Sequence, residues 1–343
     1  MQKRETFLDV LRVLATVAVV MLHTVTGVMD HTNMSGYPGQ FRLFLAVMDL
    51  VCWSVPVFLM ISGYLFLNPE RKITGRLMVA KYCKRIALAL FLFGVPFACL
   101  ELVAKEGTFR FGMIGTGITM VLQGDSWAHL WYLYLIFILY LVTPLLRWIL
   151  MKLPMWSVYC LQAVLLTVFS FLPFIGKAFG IEALAAIPAS GIYLFYYICG
   201  YVYVVQKDEA RQKNLTARIA GLILLILVVL AGRLLRSYTL QMAYNYPVTV
   251  GFAMLLFTIG MHQKPDSVEK KNTGIWEKLS ALSFAVYLTH PVFLNLYYKF
   301  LHLSPLAYPI WISLPLFFLG ALIPAVVTAA ILRLIPVLRK EVL

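Results

Sequence analysis

Arg12 and His23 stand out chemically because both lie inside one apolar run, FLDVLRVLATVAVVMLHTVTGV, from Phe7 to Val28. About 20 apolar residues cross a bilayer as a helix, and ionisable groups inside such a span are costly and usually face a cavity or a partner. Ten residues separate the pair. At helical pitch they fall within about 20° of one face and about 16 Å apart along the axis. A guanidinium near one end and an imidazole deep in the membrane, on one stripe, predict a long polar slot. Each alone also has a plainer reading, since an arginine at a helix entrance can snorkel to the headgroups and a histidine can be a satisfied core residue.

Other stretches carry matching groups. Asp49 lies near the outer start of the second apolar run, at the depth of His23. An acid there can orient the imidazole and raise its basicity, or simply cap its helix at the interface. Tyr64 lies near the cytosolic end of the same run, after Pro56, which bends a helix, and Ser62-Gly63, which admits close backbone approach. Lys81, Lys84 and Arg85 follow at i, i+3 and i+4, on one helix face. That face suits an anionic phosphate and equally suits ordinary cytosolic charge. His129 and Trp131 open the fourth run among interfacial aromatics. In the ninth, Ser280, Ser283, Tyr287 and His290 make a polar stripe on an apolar helix. No HExxH, no His–Cys grouping at ligand spacing, no phosphate-binding glycine loop and no GxSxG elbow occurs, so no metal site is expected. Cys52, Cys83, Cys99, Cys160 and Cys199 form no CxxC pair and read as small apolar residues.

The elements that position these groups are membrane helices. Of 343 residues, 62% are hydrophobic and 13% charged. Repeated long apolar runs predict an all-α polytopic protein. About ten spans are expected, roughly at 8–28, 43–67, 82–102, 129–149, 157–174, 189–206, 216–235, 246–262, 279–298 and 310–335. No polar stretch exceeds about 25 residues, too few for a soluble domain, so residues 1–343 read as one membrane domain. The first span reads as a retained anchor rather than a cleaved signal. The net charge of +14 does not imply nucleic acid, because the basic residues fall in alternate short loops. Lys3 and Arg4 at the N-terminus, the loops carrying Arg71, Lys72, Arg76 and Lys81, Arg147 and Lys152, Lys207 to Arg218, and Lys264 to Lys278, and Arg339 with Lys340 all fall on one side. The other loops are poorer in charge, with Lys105 and Arg110 in one and Lys177 in another, and Arg233 and Arg236 are the main exception. Both termini are therefore expected in the cytosol.

These stretches resemble the acyltransferase 3 family of bacterial membrane O-acyltransferases along the whole chain. The likeness rests on the Arg-x10-His of Arg12 and His23, on VPVFLMISGYL, on HLWYLYLIFILYLVTPLLR and on SFAVYLTHPVF, in that order. The family's Arg-x-x-Arg at the head of the third span is matched only in its second half, by Lys84-Arg85, with Tyr82 in place of the first arginine and Lys81 beside it. No hydrolase-like domain is expected after the tenth span, so the chain is similar to the single-domain type that includes the O-acetyltransferase of enterobacterial common antigen.

The resemblance implies a multi-pass inner-membrane O-acyltransferase. It would move an acyl group, most often acetyl, from cytosolic acetyl-CoA or another acyl-CoA to a hydroxyl of a surface carbohydrate or its lipid-linked precursor. Arg12, Lys81, Lys84, Arg85 and Tyr64 would bind the donor. His23 would be the general base, acting directly or through a transient acyl-histidine, with Asp49 orienting it. His129, Trp131, Tyr287 and His290 would line the acceptor cavity. Self-association into a homo-oligomer is left open. The rival is a carrier for a small amino acid such as serine, because the membrane parts of vancomycin-resistance serine racemases are similar to the same family.

Overall fold

The computed structural model describes residues 5–212, 214–234, 243–262 and 270–343, and every element among them is helical. Lys3, Arg4, Lys213, Arg236 and Lys264 lie outside the described residues. Eight helices among the described residues are long and apolar enough to cross a membrane. In chain order the helical stretches are α1 Thr6–His31, α2 Pro38–Phe66, α3 Gly75–Glu106, α4 Gly112–Gln123, α5 Ala128–Leu150, α6 Met155–Phe179, α7 Ala189–Val205, α8 Leu215–Leu234, α9 Pro247–Met261, α10 Gly274–Phe300, α11 Ile310–Leu332 and α12 Pro336–Glu341. The chain is a multi-pass membrane protein. Its helices pack into two compact units, residues 1–70 with 153–326, and residues 71–152 with 327–343.

In the first unit, α1 and α10 lie side by side. Arg12 meets Ser280, His23 meets His290, and the Tyr298 hydroxyl donates to the Thr24 carbonyl. Partner numbers rise together along both helices, so the two run parallel. The Tyr298 ring covers Gly27, where an added Cβ would strike it.

The helix α2 is interrupted at Cys52 and Trp53. Pro56 supplies the reason: it has no N–H for the Cys52 carbonyl one turn back. The Trp53 indole N–H then donates to the Leu50 carbonyl at 2.8 Å. Further along, α2 crosses α7 with the backbones touching. A Cβ on Gly63 would overlap the Tyr197 carbonyl oxygen, and one on Gly200 would overlap the Met60 oxygen and the Tyr64 nitrogen. The Ser-Gly step therefore admits a neighbouring helix, and small residues at such a crossing gain van der Waals contact. Next to the crossing, the rings of Phe7, Tyr64 and Phe257 pack on one another with centroids 5.5 to 6.0 Å apart. The other end of α8 is held by a small core of Val229, Tyr246 and Phe252, against which Leu50 and Trp53 pack.

In the second unit, α3 opens with a wide π turn over Met78–Cys83 before becoming regular at Lys84. The helix α4 falls in what the spacing of apolar runs reads as a loop. At 12 residues it reaches about 18 Å, short of a bilayer core, and its sequence GMIGTGITMVLQ is rich in glycine. Packing forms it: Gly117 lies against Val95 and Cys99 of α3, and the Tyr134 hydroxyl of α5 donates to the Val121 carbonyl.

Candidate functional site

His23 faces inward from α1 and is half-buried. Its Nδ1 lies 3.0 Å from the Val19 carbonyl oxygen and 3.0 Å from His290 Nε2. His290 is fully buried, and its own Nδ1 lies 3.0 Å from the Val286 carbonyl oxygen. A carbonyl oxygen only accepts, so each Nδ1 carries a proton. Neutral His290 then presents a lone pair at Nε2, which accepts from His23 Nδ1–H. This assignment follows from the hydrogen-bond network. It leaves the His23 lone pair on Nε2. The Tyr287 ring lies beside His290, with centroids 6.4 Å apart.

About eleven residues toward the other end of the same face, Arg12 Nη1 donates to Ser280 Oγ at 2.8 Å and approaches Asp9 Oδ1 at 3.4 Å. Its side chain keeps 28% exposure. The polar stripe of α10 thus serves α1 at two depths, Ser280 at Arg12 and His290 at His23. Hydroxyls along α1 are satisfied within the helix, as where Thr16 donates to the Arg12 carbonyl and Thr24 to that of Val20.

Asp49 differs from its sequence expectation. Its partner is Arg233 of α8, with Nε 2.8 Å from Oδ2, and the two side chains are 1% and 5% exposed. A carboxylate buried in a membrane protein is best matched by a permanent cation, and arginine remains charged where histidine would surrender its proton. The group that engages His23 Nδ1 from another helix is His290. Arg233, the misfit in the loop-charge pattern, is explained by this pair. An arginine on the wrong side and an acid at the same depth in another span were the available signal. Tyr64 is 3% exposed and packed among aromatic rings.

The remaining candidates belong to the second unit. Lys84 Nζ pairs with Glu341 Oε2 at 2.7 Å, and Arg85 Nε donates to the Val342 carbonyl at 2.9 Å. Lys81, inside the π turn, places its ammonium 5.6 Å from the centre of the Tyr82 ring. The face expected for all three therefore divides: Lys84 reaches the last residue of α12 and Arg85 the residue after it, and Lys81 packs on its neighbour. His129 is buried beside Phe97 and Trp127, whose rings stack 4.3 Å apart. Trp131 packs edge-on against Tyr132. Among the described residues no three His, Cys, Asp or Glu side chains gather as metal ligands would.

The model of the acyltransferase 3 family, described as an acyltransferase domain, matches residues 5–334. The chain belongs to the acyltransferase 3 family. No curated protein and no solved structure matches it. An acyltransferase of this family with many apolar helices is a membrane enzyme, and the matched region includes Arg12, His23 and His290 alike. Acyl transfer needs a base for the attacking group and a proton for the leaving group.

Proposed function

We propose that this acyltransferase is a bacterial inner-membrane O-acyltransferase. It moves an acyl group, acetyl in the simplest case, from acyl-CoA to a hydroxyl of a surface carbohydrate or its lipid-linked precursor. The observation that carries the reading is the 3.0 Å approach of His23 Nδ1 to both the Val19 carbonyl oxygen and His290 Nε2, from which the Nδ1 proton and the Nε2 lone pair are assigned.

His23 Nε2 takes the proton of the acceptor hydroxyl as that oxygen attacks the thioester carbonyl. The new C–O bond forms, the C–S bond breaks, and the proton passes from His23 to the departing thiolate. Proton transfer of this kind contributes about 10² to 10⁴ in rate. Arg12 takes a phosphate of the donor through its planar fork, with Ser280 fixing the guanidinium. In the second unit, Lys84 can exchange Glu341 for a phosphate. Tyr64 shapes the wall near Arg12. Tyr287, beside His290, contributes to the acceptor side. Ten crossings with both termini cytosolic accommodate this reading: the eight long helices with Ala189–Val205 and Pro247–Met261, a numbering in which the parallel α1 and α10 are both odd-numbered crossings.

The test is thioester turnover. Purified protein in detergent is given acetyl-CoA, with and without a panel of glycans, and free CoA is followed for wild type and His23→Ala. Release or transfer that depends on His23 supports the enzyme. Folded protein that neither binds nor turns over acetyl-CoA, yet supports coupled serine uptake in vesicles, points to the carrier instead.

A further inference from the structure

We propose that His290 is the positioning residue of His23: its buried Nε2 accepts the His23 Nδ1 proton, so that the two imidazoles act as one base taking up a single proton. The role rests on the acyltransfer reading above, and it assigns to a second histidine the place where a carboxylate is usually expected.

Three features carry it. The contact is 3.0 Å, and the His290 ring is itself held by the Val286 carbonyl, so its acceptor nitrogen has one available orientation. His290 is 0% exposed, so water does not compete for that nitrogen. The pair is also bracketed along both helices, by Arg12–Ser280 on one side and Tyr298–Thr24 on the other. These contacts set the register of α1 against α10, and with it the distance between the rings. Asp49, the acid that the sequence places at the depth of His23, is engaged by Arg233.

A neutral partner has a chemical consequence. A carboxylate beside His23 would favour its protonated form, whereas a neutral imidazole orients it without adding charge and favours an uncharged resting base. When His23 Nε2 accepts the hydroxyl proton, the pair gains one positive charge. The His23 Nδ1 proton then lies between His23 Nδ1, His290 Nε2 and the Val19 carbonyl, while the Val286 carbonyl accepts from His290 Nδ1, and these contacts spread that charge. When the thiolate leaves, the proton returns from Nε2 and the pair is neutral again.

Two measurements test this. Solid-state NMR of the full chain in lipid vesicles, with ¹⁵N-labelled histidine and peaks assigned by His23→Asn and His290→Gln, reads the tautomers directly. The expected result is a protonated Nδ1 and bare Nε2 on both rings, with a correlation between His23 Nδ1 and His290 Nε2. A His23 protonated at Nε2 and bare at Nδ1 overturns the proposal whatever the activity. Turnover of acetyl-CoA is the second. His290→Phe, which fills the space but cannot accept, should lose about 10²-fold in kcat with KM for acetyl-CoA unchanged. His290→Gln, whose amide oxygen can accept, should recover to within about tenfold of wild type. A role in packing alone predicts the reverse ranking and also overturns the proposal. Wild-type protein that shows the tautomer pair but turns over no acetyl-CoA refutes the functional reading and leaves the pair intact.

Discussion

Asp49 and Arg233 form a buried ion pair between α2 and α8, with 2.8 Å between Nε and Oδ2 and almost no exposure of either side chain. Removing one partner of such a pair strands a charge and costs about 3–5 kcal/mol. Arg233→Ala should therefore lower the thermal unfolding midpoint in detergent sharply, and Asp49→Leu with Arg233→Met should restore much of it. If Asp49 oriented His23, the restored double variant would still lack turnover. With His290 in that role, its folded fraction should turn over acetyl-CoA.

Replacing His23 by Ala should abolish surface O-acylation in cells and reduce thioester turnover by about 10² to 10⁴ in vitro, with membrane levels unchanged. An acyl-histidine route would leave a trace: acetyl-CoA alone would add one acetyl group to the His23 peptide by mass spectrometry. Direct transfer predicts no such adduct.

Arg12→Lys keeps the charge but loses the planar fork and its hold on Ser280 Oγ. If the fork grips phosphate, KM for acetyl-CoA should rise about tenfold, as a lysine cannot make the bidentate contact. Ser280→Ala should have a smaller effect in the same direction. Equal KM values for wild type and Arg12→Lys would remove Arg12 from donor binding.

Gly63→Val and Gly200→Val should each prevent stable folding. In both cases the added atoms meet backbone rather than a movable side chain, and overpacking of even ordinary cores costs about 1–3 kcal/mol. Gly39→Ala, where nothing lies within reach of the new carbon, is the control. Size-exclusion profiles of the purified variants decide it.

Lys84, chiefly by its hydrogen bond and then by its charge, holds the Glu341 carboxyl below the usual glutamate range. A carboxyl depressed in the folded state contributes above its unfolded value and loses that contribution as pH falls through the folded one. The contact is therefore complete at neutral pH and fades below the ordinary value of 4.5. Both side chains are partly exposed, so salt screens the pair and its contribution is small. Glu341→Gln should speed amide exchange over 336–343 at neutral pH, a difference that shrinks in acid. If Lys84 binds donor phosphate, the same change should also lower KM for acetyl-CoA, by about two- to fivefold.

Much of the site was legible along single helices. Arg12 and His23 share a face because eleven residues make almost a whole number of turns, and the Ser280–Tyr287–His290 stripe follows from the same period. Both were read correctly as polar lines inside apolar helices, and the Ser-Gly step as a point of close approach. The partners were not legible. Asp49 and His23 matched in depth, yet depth alone does not say which helices touch. The short helix α4 escaped because its formation depends on the groove at Gly117 rather than on a long apolar run.

What the sequence determined by itself was membrane insertion, the all-helical class, the family and the residues placed inside the bilayer, because hydropathy and helical period act locally along one chain. What only the tertiary structure decided was pairing: His23 with His290, Asp49 with Arg233, Lys84 with Glu341, and Gly63 with the backbone of α7. In a bilayer, apolar faces satisfy many neighbours equally well, so hydrophobic pattern does not choose between them. The choice falls to a few close backbone crossings and buried polar contacts between residues up to 274 positions apart, which no local period records.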